Sequence, residues 1–176
     1  MHNKVVYHAA RALDRLGIPT LRFNFRGAGL SEGKHDRGIG EQGDVRAALD
    51  FLTGEFPRVP LLVAGFSFGC WVGLRVGCGD ARVSELIGLG APVGDSDFSY
   101  LGACAKPTLF IQGEKDKYGA PAQLNALVNS FPEATRREMR IDVVPHADHF
   151  FAGHLEEVDA ALVSWLTAQH SDLAEK

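Results

Sequence analysis

The sequence is short of cysteine, of basic clusters and of long hydrophobic runs. Cys70, Cys78 and Cys104 are an odd number with no Cys-x-x-Cys pair, which excludes a disulfide framework and a cysteine-built zinc site. No stretch approaches the roughly 18 apolar residues that suggest a membrane span. Met1 is followed by His2, Asn3 and Lys4, with no apolar core of a secretory signal. The expected location is therefore the cytoplasm, away from membranes. Eighteen Lys and Arg stand against 22 Asp and Glu, a net charge of −4. No block of basic residues offsets that balance, so neither a nucleic acid nor an anionic membrane is an expected partner. Internal repeats and low-complexity tracts are also absent.

What is present describes an ordinary globular chain. Hydrophobic residues make up 45% and charged residues 23% of the 176 positions, enough to build a core without staples. At roughly 100–200 residues per domain, residues 1–176 are expected to form one domain. Glycine is the one excess, at 20 residues where a frequency of about 7% would give a dozen.

Apolar residues recur at helical spacing over 4–16, with Gly17 and Pro19 as a stop, and again over about 44–53, 121–131 and 155–168. Thr20 to Phe25 alternates with a period of two and predicts a strand. Leu61-Leu62-Val63-Ala64-Gly65-Phe66 is a continuous apolar run, as expected of a central strand buried on both faces. Short apolar segments at 86–90, 108–112 and 140–144 complete the set. Strands alternating with helices predict a mostly parallel α/β sheet of about five strands flanked by helices.

The sharpest chemical signal is Gly65-Phe66-Ser67-Phe68-Gly69, a G-x-S-x-G motif between a buried strand and a small-residue helix. On such a turn the serine hydroxyl projects from the sheet edge, and the next helix offers free N–H groups to an anion. Glycines two residues either side keep side chains from colliding. A serine hydroxyl needs a base, itself oriented by an acid. Gly113-Glu114-Lys115-Asp116 follows one strand and Pro145-His146-Ala147-Asp148-His149-Phe150-Phe151 follows the last, so a serine, an acid and a histidine occur in hydrolase order. Asp95 and Asp97 are rival acids, and His146 is a rival base. His146, Asp148, His149 and His154 also cluster as potential metal ligands, but no second cluster completes such a site. The glycine-rich segment from Arg26 to Gly33 lacks both the phosphate-loop and dinucleotide signatures, so no cofactor is expected. That segment reads instead as a turn at the edge of the site, and Cys70 as helix packing.

Together with Phe23 to Gly33, these motifs resemble the α/β-hydrolase superfamily, most closely its small, cap-less bacterial esterases related to dienelactone hydrolases. The resemblance covers nearly the whole chain. It implies Ser67 as nucleophile, Asp116 as orienting acid, His149 as general base and the Phe68 N–H as an oxyanion-hole donor. It also implies further strands ahead of the helix near Asn3, one lying between the strands at 20–25 and 61–66 and leading into the loop that carries a second donor. The expectation is a sheet lacking its usual first strands, less stable or less active than a chain extended at its N-terminus. The short stretch between the strands at 86–90 and 108–112 leaves no room for a helical lid.

The expected activity is hydrolysis of small-to-medium acyl esters at an open site, with Phe66, Phe68, Trp71, Phe98, Phe150 and Phe151 as lining or core residues. A peptidase or a perhydrolase would use the same three residues. A non-catalytic binding module of the same fold is the alternative from another class. An unpaired sheet edge would offer a surface for a homodimer.

Overall fold

A computed structural model describes residues 3–173 of the chain. Asn3 caps the first helix, α1 (Lys4–Arg15), its side-chain oxygen accepting the Val6 N–H at 3.2 Å. Helix α2 (Glu41–Glu55) precedes β1 (Leu61–Phe66), α3 (Phe68–Gly79), β2 (Val83–Leu89) and β3 (Thr108–Gly113). Helices α4 (Pro121–Asn129) and α5 (Glu133–Arg137), strand β4 (Met139–Val144) and helix α6 (Leu155–Gln169) follow. The four strands lie in the order β1-β2-β3-β4 and every pairing is parallel.

Alternation along the strands divides the core into two layers, as a period of two requires. Phe66, Ile87, Leu89, Leu109 and Ile111 face α1 and α6, where they meet Val5, Leu13, Leu162 and Trp165. Leu61, Val63, Leu86 and Phe110 point to the opposite face and pack with Val45, Leu49 and the α3 residues Cys70 and Leu74. An Arg15–Asp159 ion pair at 2.9 Å ties α1 to α6. Among the described residues no helix is long and apolar enough to cross a membrane.

The strand expected over Thr20–Phe25 does not form: the segment has no ladder partner among the described residues. Alternation is a property of the segment, whereas a strand needs a neighbour about 4.7–4.9 Å away to take its hydrogen bonds. A largely apolar cavity of about 490 Å³ separates residues 18–25 from β1 instead, with α1 and α2 contributing to its walls. Among the described residues the sheet therefore has four strands rather than five. For the same reason β1 is not a central strand: within those residues it pairs with β2 alone, and Ala64 is exposed.

Candidate active site

Ser67 occupies the turn between β1 and α3 with φ 53° and ψ −120°, a backbone conformation that costs on the order of 1–3 kcal/mol for a residue with a side chain. Its N–H donates to the Leu89 carbonyl at 2.9 Å and its carbonyl accepts the Trp71 N–H at 3.1 Å. These bonds hold the strained residue between sheet and helix. Gly65 is what lets the turn close: a Cβ there would lie 2.3 Å from the Gly69 carbonyl oxygen. Gly69 differs from expectation, since a Cβ at that position meets nothing nearer than the Phe25 ring at 3.7 Å. Phe68 is the first residue of α3, so its N–H has no intrahelical acceptor and stands beside Ser67.

Asp116 sits on the tight turn after β3 and is buried. Its Oδ1 accepts the N–H groups of Tyr118 (2.9 Å) and Gly119 (3.3 Å), and its Oδ2 accepts from the Gln112 amide at 2.8 Å. A buried carboxylate is tolerable only when its lone pairs are taken up in this way. Gln112 is itself fully buried; its Oε1 accepts the Ala91 N–H at 2.9 Å while its Nε2 also donates to the Gly119 carbonyl at 2.6 Å.

His149 lies on the loop after β4. That loop is pinned on both sides, the His146 N–H donating to Glu114 Oε2 at 2.7 Å and the Lys115 N–H to the Ala147 carbonyl at 2.8 Å. Asp148 Oδ1 accepts the N–H groups of Phe150 and Ala152, and His146 and Phe151 take positive φ values of 63° and 51°. The outcome is a buried imidazole, 5% exposed, with Nδ1 2.8 Å from Asp116 Oδ2 and Nε2 2.9 Å from Ser67 Oγ. A carboxylate accepts, so the tautomer with the proton on Nδ1 satisfies both contacts and leaves Nε2 as acceptor for the serine hydroxyl. The arrangement can remove a proton from Ser67 and hold it.

The rival residues lie elsewhere. His146 is exposed and pairs with Glu114 at 3.3 Å; Asp95 is exposed; and Asp97 faces Arg75 at 3.7 Å. Asp148 caps its own loop, and His154 pairs with Glu157 at 3.1 Å. Among the described residues no group of three or more His, Cys, Asp and Glu side chains is disposed to hold a metal ion. Phe98 and Phe151 are fully buried core residues rather than site lining. Cys70 is buried against the core, and burial pushes its thiol well above the usual range.

Residues 26–40 fold over the α3 side of the site. Arg26 holds Asp44 through both carboxylate oxygens, the shortest bond being 2.7 Å, and this guanidinium keeps the Asp44 carboxyl below its usual range. Glu41 is fully buried beneath the loop, accepting the N–H groups of Asp36 and Gly38 at 2.8 Å each and His35 Nδ1 at 2.9 Å. Burial alone would push its carboxyl up; those N–H bonds and the imidazole outweigh it and hold the group low. The loop brings His35 to 5.2 Å and Phe25 to 5.5 Å from the Phe68 ring, centroid to centroid.

Gln112 and Glu41 were not identified from the sequence. Gln112 left a trace there, as the one polar side chain ending the run Thr108-Leu109-Phe110-Ile111-Gln112. A polar group at the end of a strand otherwise built to be buried has to find a partner.

The chain is similar to known proteins over most of its length. The model of the alpha/beta hydrolase domain family matches residues 1–168. The uncharacterized protein RP471 of Rickettsia prowazekii (strain Madrid E) is 35% identical over 178 residues, 98% of this chain and 74% of that protein. The structure of an alpha-beta serine hydrolase homologue from Coxiella burnetii superposes with a TM-score of 0.86 at 38% identity, covering 94% of this chain and 77% of that one. A member of the a/b serine hydrolases without lid, from Xanthomonas campestris, gives a TM-score of 0.83 at 38% identity over 92% of this chain and 72% of its own. The chain belongs to the alpha/beta hydrolase domain family.

Proposed function

We propose that this α/β hydrolase is a serine carboxylic-ester hydrolase acting on small-to-medium acyl esters through an acyl-serine intermediate. The observation that carries the reading is the unbroken hydrogen-bonded line from Ser67 Oγ through His149 to Asp116, built on a turn that strains the serine backbone.

Ser67 Oγ attacks the ester carbonyl as His149 Nε2 takes its proton. The Phe68 N–H, at the positive end of α3, donates to the developing oxyanion; one such donor is worth about 10²–10³ in turnover. His149 returns the proton to the alcohol oxygen as the carbon–oxygen bond breaks. Water then repeats the sequence on the acyl-serine, releasing the acid and restoring Ser67. Asp116 stays ionised throughout, orienting the imidazole and stabilising its charged form.

The size preference follows from an open approach. Residues 90–107, between β2 and β3, contain a single short helical turn, Ser99–Ala103, and the Xanthomonas relative is described as lacking a lid. Without a lid built from the stretch between β2 and β3, a long acyl chain gains little buried area there. A p-nitrophenyl ester series from acetate to palmitate tests the reading. Rates highest for the short and medium acyl groups support it; a maximum at palmitate, or no hydrolysis at any length, contradicts it.

A further inference from the structure

We infer that the alcohol half of the ester is selected by an aromatic wall beside His149, built from Tyr118 and Phe150, and that the favoured alcohols carry a flat aromatic group. The inference rests on the proposed roles of Ser67, His149 and Asp116 and goes beyond them, because those roles leave the alcohol unspecified.

Proton transfer fixes where the alcohol lies. During acylation the Ser67 Oγ–carbon bond forms and the carbon–alcohol oxygen bond breaks. The Ser67 proton passes through His149 Nε2 to the departing oxygen. That oxygen must come within about 2.6–3.2 Å of Nε2, so whatever it carries extends over the surroundings of the imidazole.

Three aromatic rings stand there, with centroids at 4.6 Å (Tyr118), 5.0 Å (Phe66) and 5.1 Å (Phe150) from that of His149. Phe66 is buried in the core layer facing α6. Tyr118 and Phe150 are 47% and 56% exposed, although the histidine they flank is buried. Their outer surfaces are the apolar ground that a group on the departing oxygen meets. Exposed single hydrophobic residues are common; two flanking one imidazole at a site of acyl transfer are positioned for a ligand.

Both rings stand on fixed backbone. The Tyr118 N–H donates to Asp116 Oδ1 at 2.9 Å. The Phe150 N–H donates to Asp148 Oδ1 at 3.0 Å, and the next residue, Phe151, is anchored in the core. A wall set in advance costs little ordering when the ligand arrives. The Phe25 and His35 rings stand instead against the Phe68 ring, 5.5 and 5.2 Å away centroid to centroid, and take no part in this wall.

Benzyl, cyclohexylmethyl and ethyl acetate, with alcohols of similar acidity and one common acetyl-serine, isolate the alcohol. Their kcat/KM values are compared for the full chain and for Tyr118→Leu and Phe150→Leu, which keep apolar bulk but lose the flat ring. The wild type is expected to prefer benzyl over both other esters. Each substitution should lower the benzyl-to-cyclohexylmethyl ratio about 2- to 12-fold, the worth of one aromatic pair. A ratio unmoved in both variants, with all three esters turned over, overturns this inference and leaves the Ser67 mechanism standing. A wild type that hydrolyses none of the three overturns both.

Discussion

Gln112 Nε2 and His149 Nδ1 meet the same oxygen of Asp116, each at 2.8 Å. The Gln112 amide can be oriented one way only, because its Oε1 accepts the Ala91 N–H while Nε2 donates to the Gly119 carbonyl. One buried side chain therefore ties the turn after β2 to the turn after β3 and aims the carboxylate at the imidazole. Gln112→Leu leaves the Ala91 N–H and the Gly119 carbonyl without this partner. We expect a loss of about 1–3 kcal/mol in urea unfolding, with turnover falling further than the folded fraction does. Turnover that tracks the folded fraction would make Gln112 a structural residue alone.

The serine line gives its own pattern of losses. Ser67→Ala and His149→Ala should each cost about 10⁶ in kcat, and the double variant little more, since the two act as one unit. Asp116→Asn should cost about 10⁴, through the wrong imidazole tautomer. Steady-state kinetics on a reactive aryl ester would check this. Costs that multiply in the double variant would contradict a shared proton path.

Gly65 and Gly69 separate two uses of glycine in one motif. Gly65→Ala places a methyl group 2.3 Å from the Gly69 carbonyl oxygen, so the turn must shift and Ser67 with it. A displacement of about 1 Å costs on the order of 10²-fold in rate. Gly69→Ala meets only the Phe25 ring at 3.7 Å and should leave kcat/KM nearly unchanged. Comparable losses in the two variants would contradict the turn geometry.

Acid should unfold the chain partly through Asp80. The Arg82 side chain hydrogen-bonds both of its oxygens, at 2.9 and 2.7 Å, and holds the carboxyl down at about 2. The unfolded value is about 3.9, so between the two the unfolded chain binds more protons and stability rises with pH. The contribution is complete above about pH 4 and disappears toward pH 2; Glu41 and Asp44, also held low, act in the same direction. Urea midpoints of wild type and Asp80→Asn should converge as pH falls from about 4 to about 2. A gap that stays constant would contradict it.

The four paired strands and the helices other than the short α5 (Glu133–Arg137) are legible because their signals are local: periodicity, and glycine and proline stops. Thr20–Phe25 carries the same alternation as a strand, yet pairing depends on a neighbour, and no window of sequence contains that neighbour. Leu61–Phe66 looks central because its unbroken apolar run predicts burial on both faces, whereas the strand borders a cavity and Ala64 is exposed. Ser67 is marked by its own turn. Choosing Asp116 over Asp95 and His149 over His146 needed a family resemblance, because the choice depends on which loops converge at the sheet edge. The role of Gln112 is not legible in sequence because its partners at 91 and 119 lie on loops whose proximity only the folded chain displays.

The most direct test of the central claim is the intact mass of the chain after incubation with a fluorophosphonate, with Ser67→Ala alongside. A single adduct on the wild type, absent from the substituted chain, is the expected result and means that His149 and Asp116 activate Ser67. A folded wild-type chain that takes no adduct, or an adduct that survives the substitution, would contradict a serine hydrolase working through Ser67.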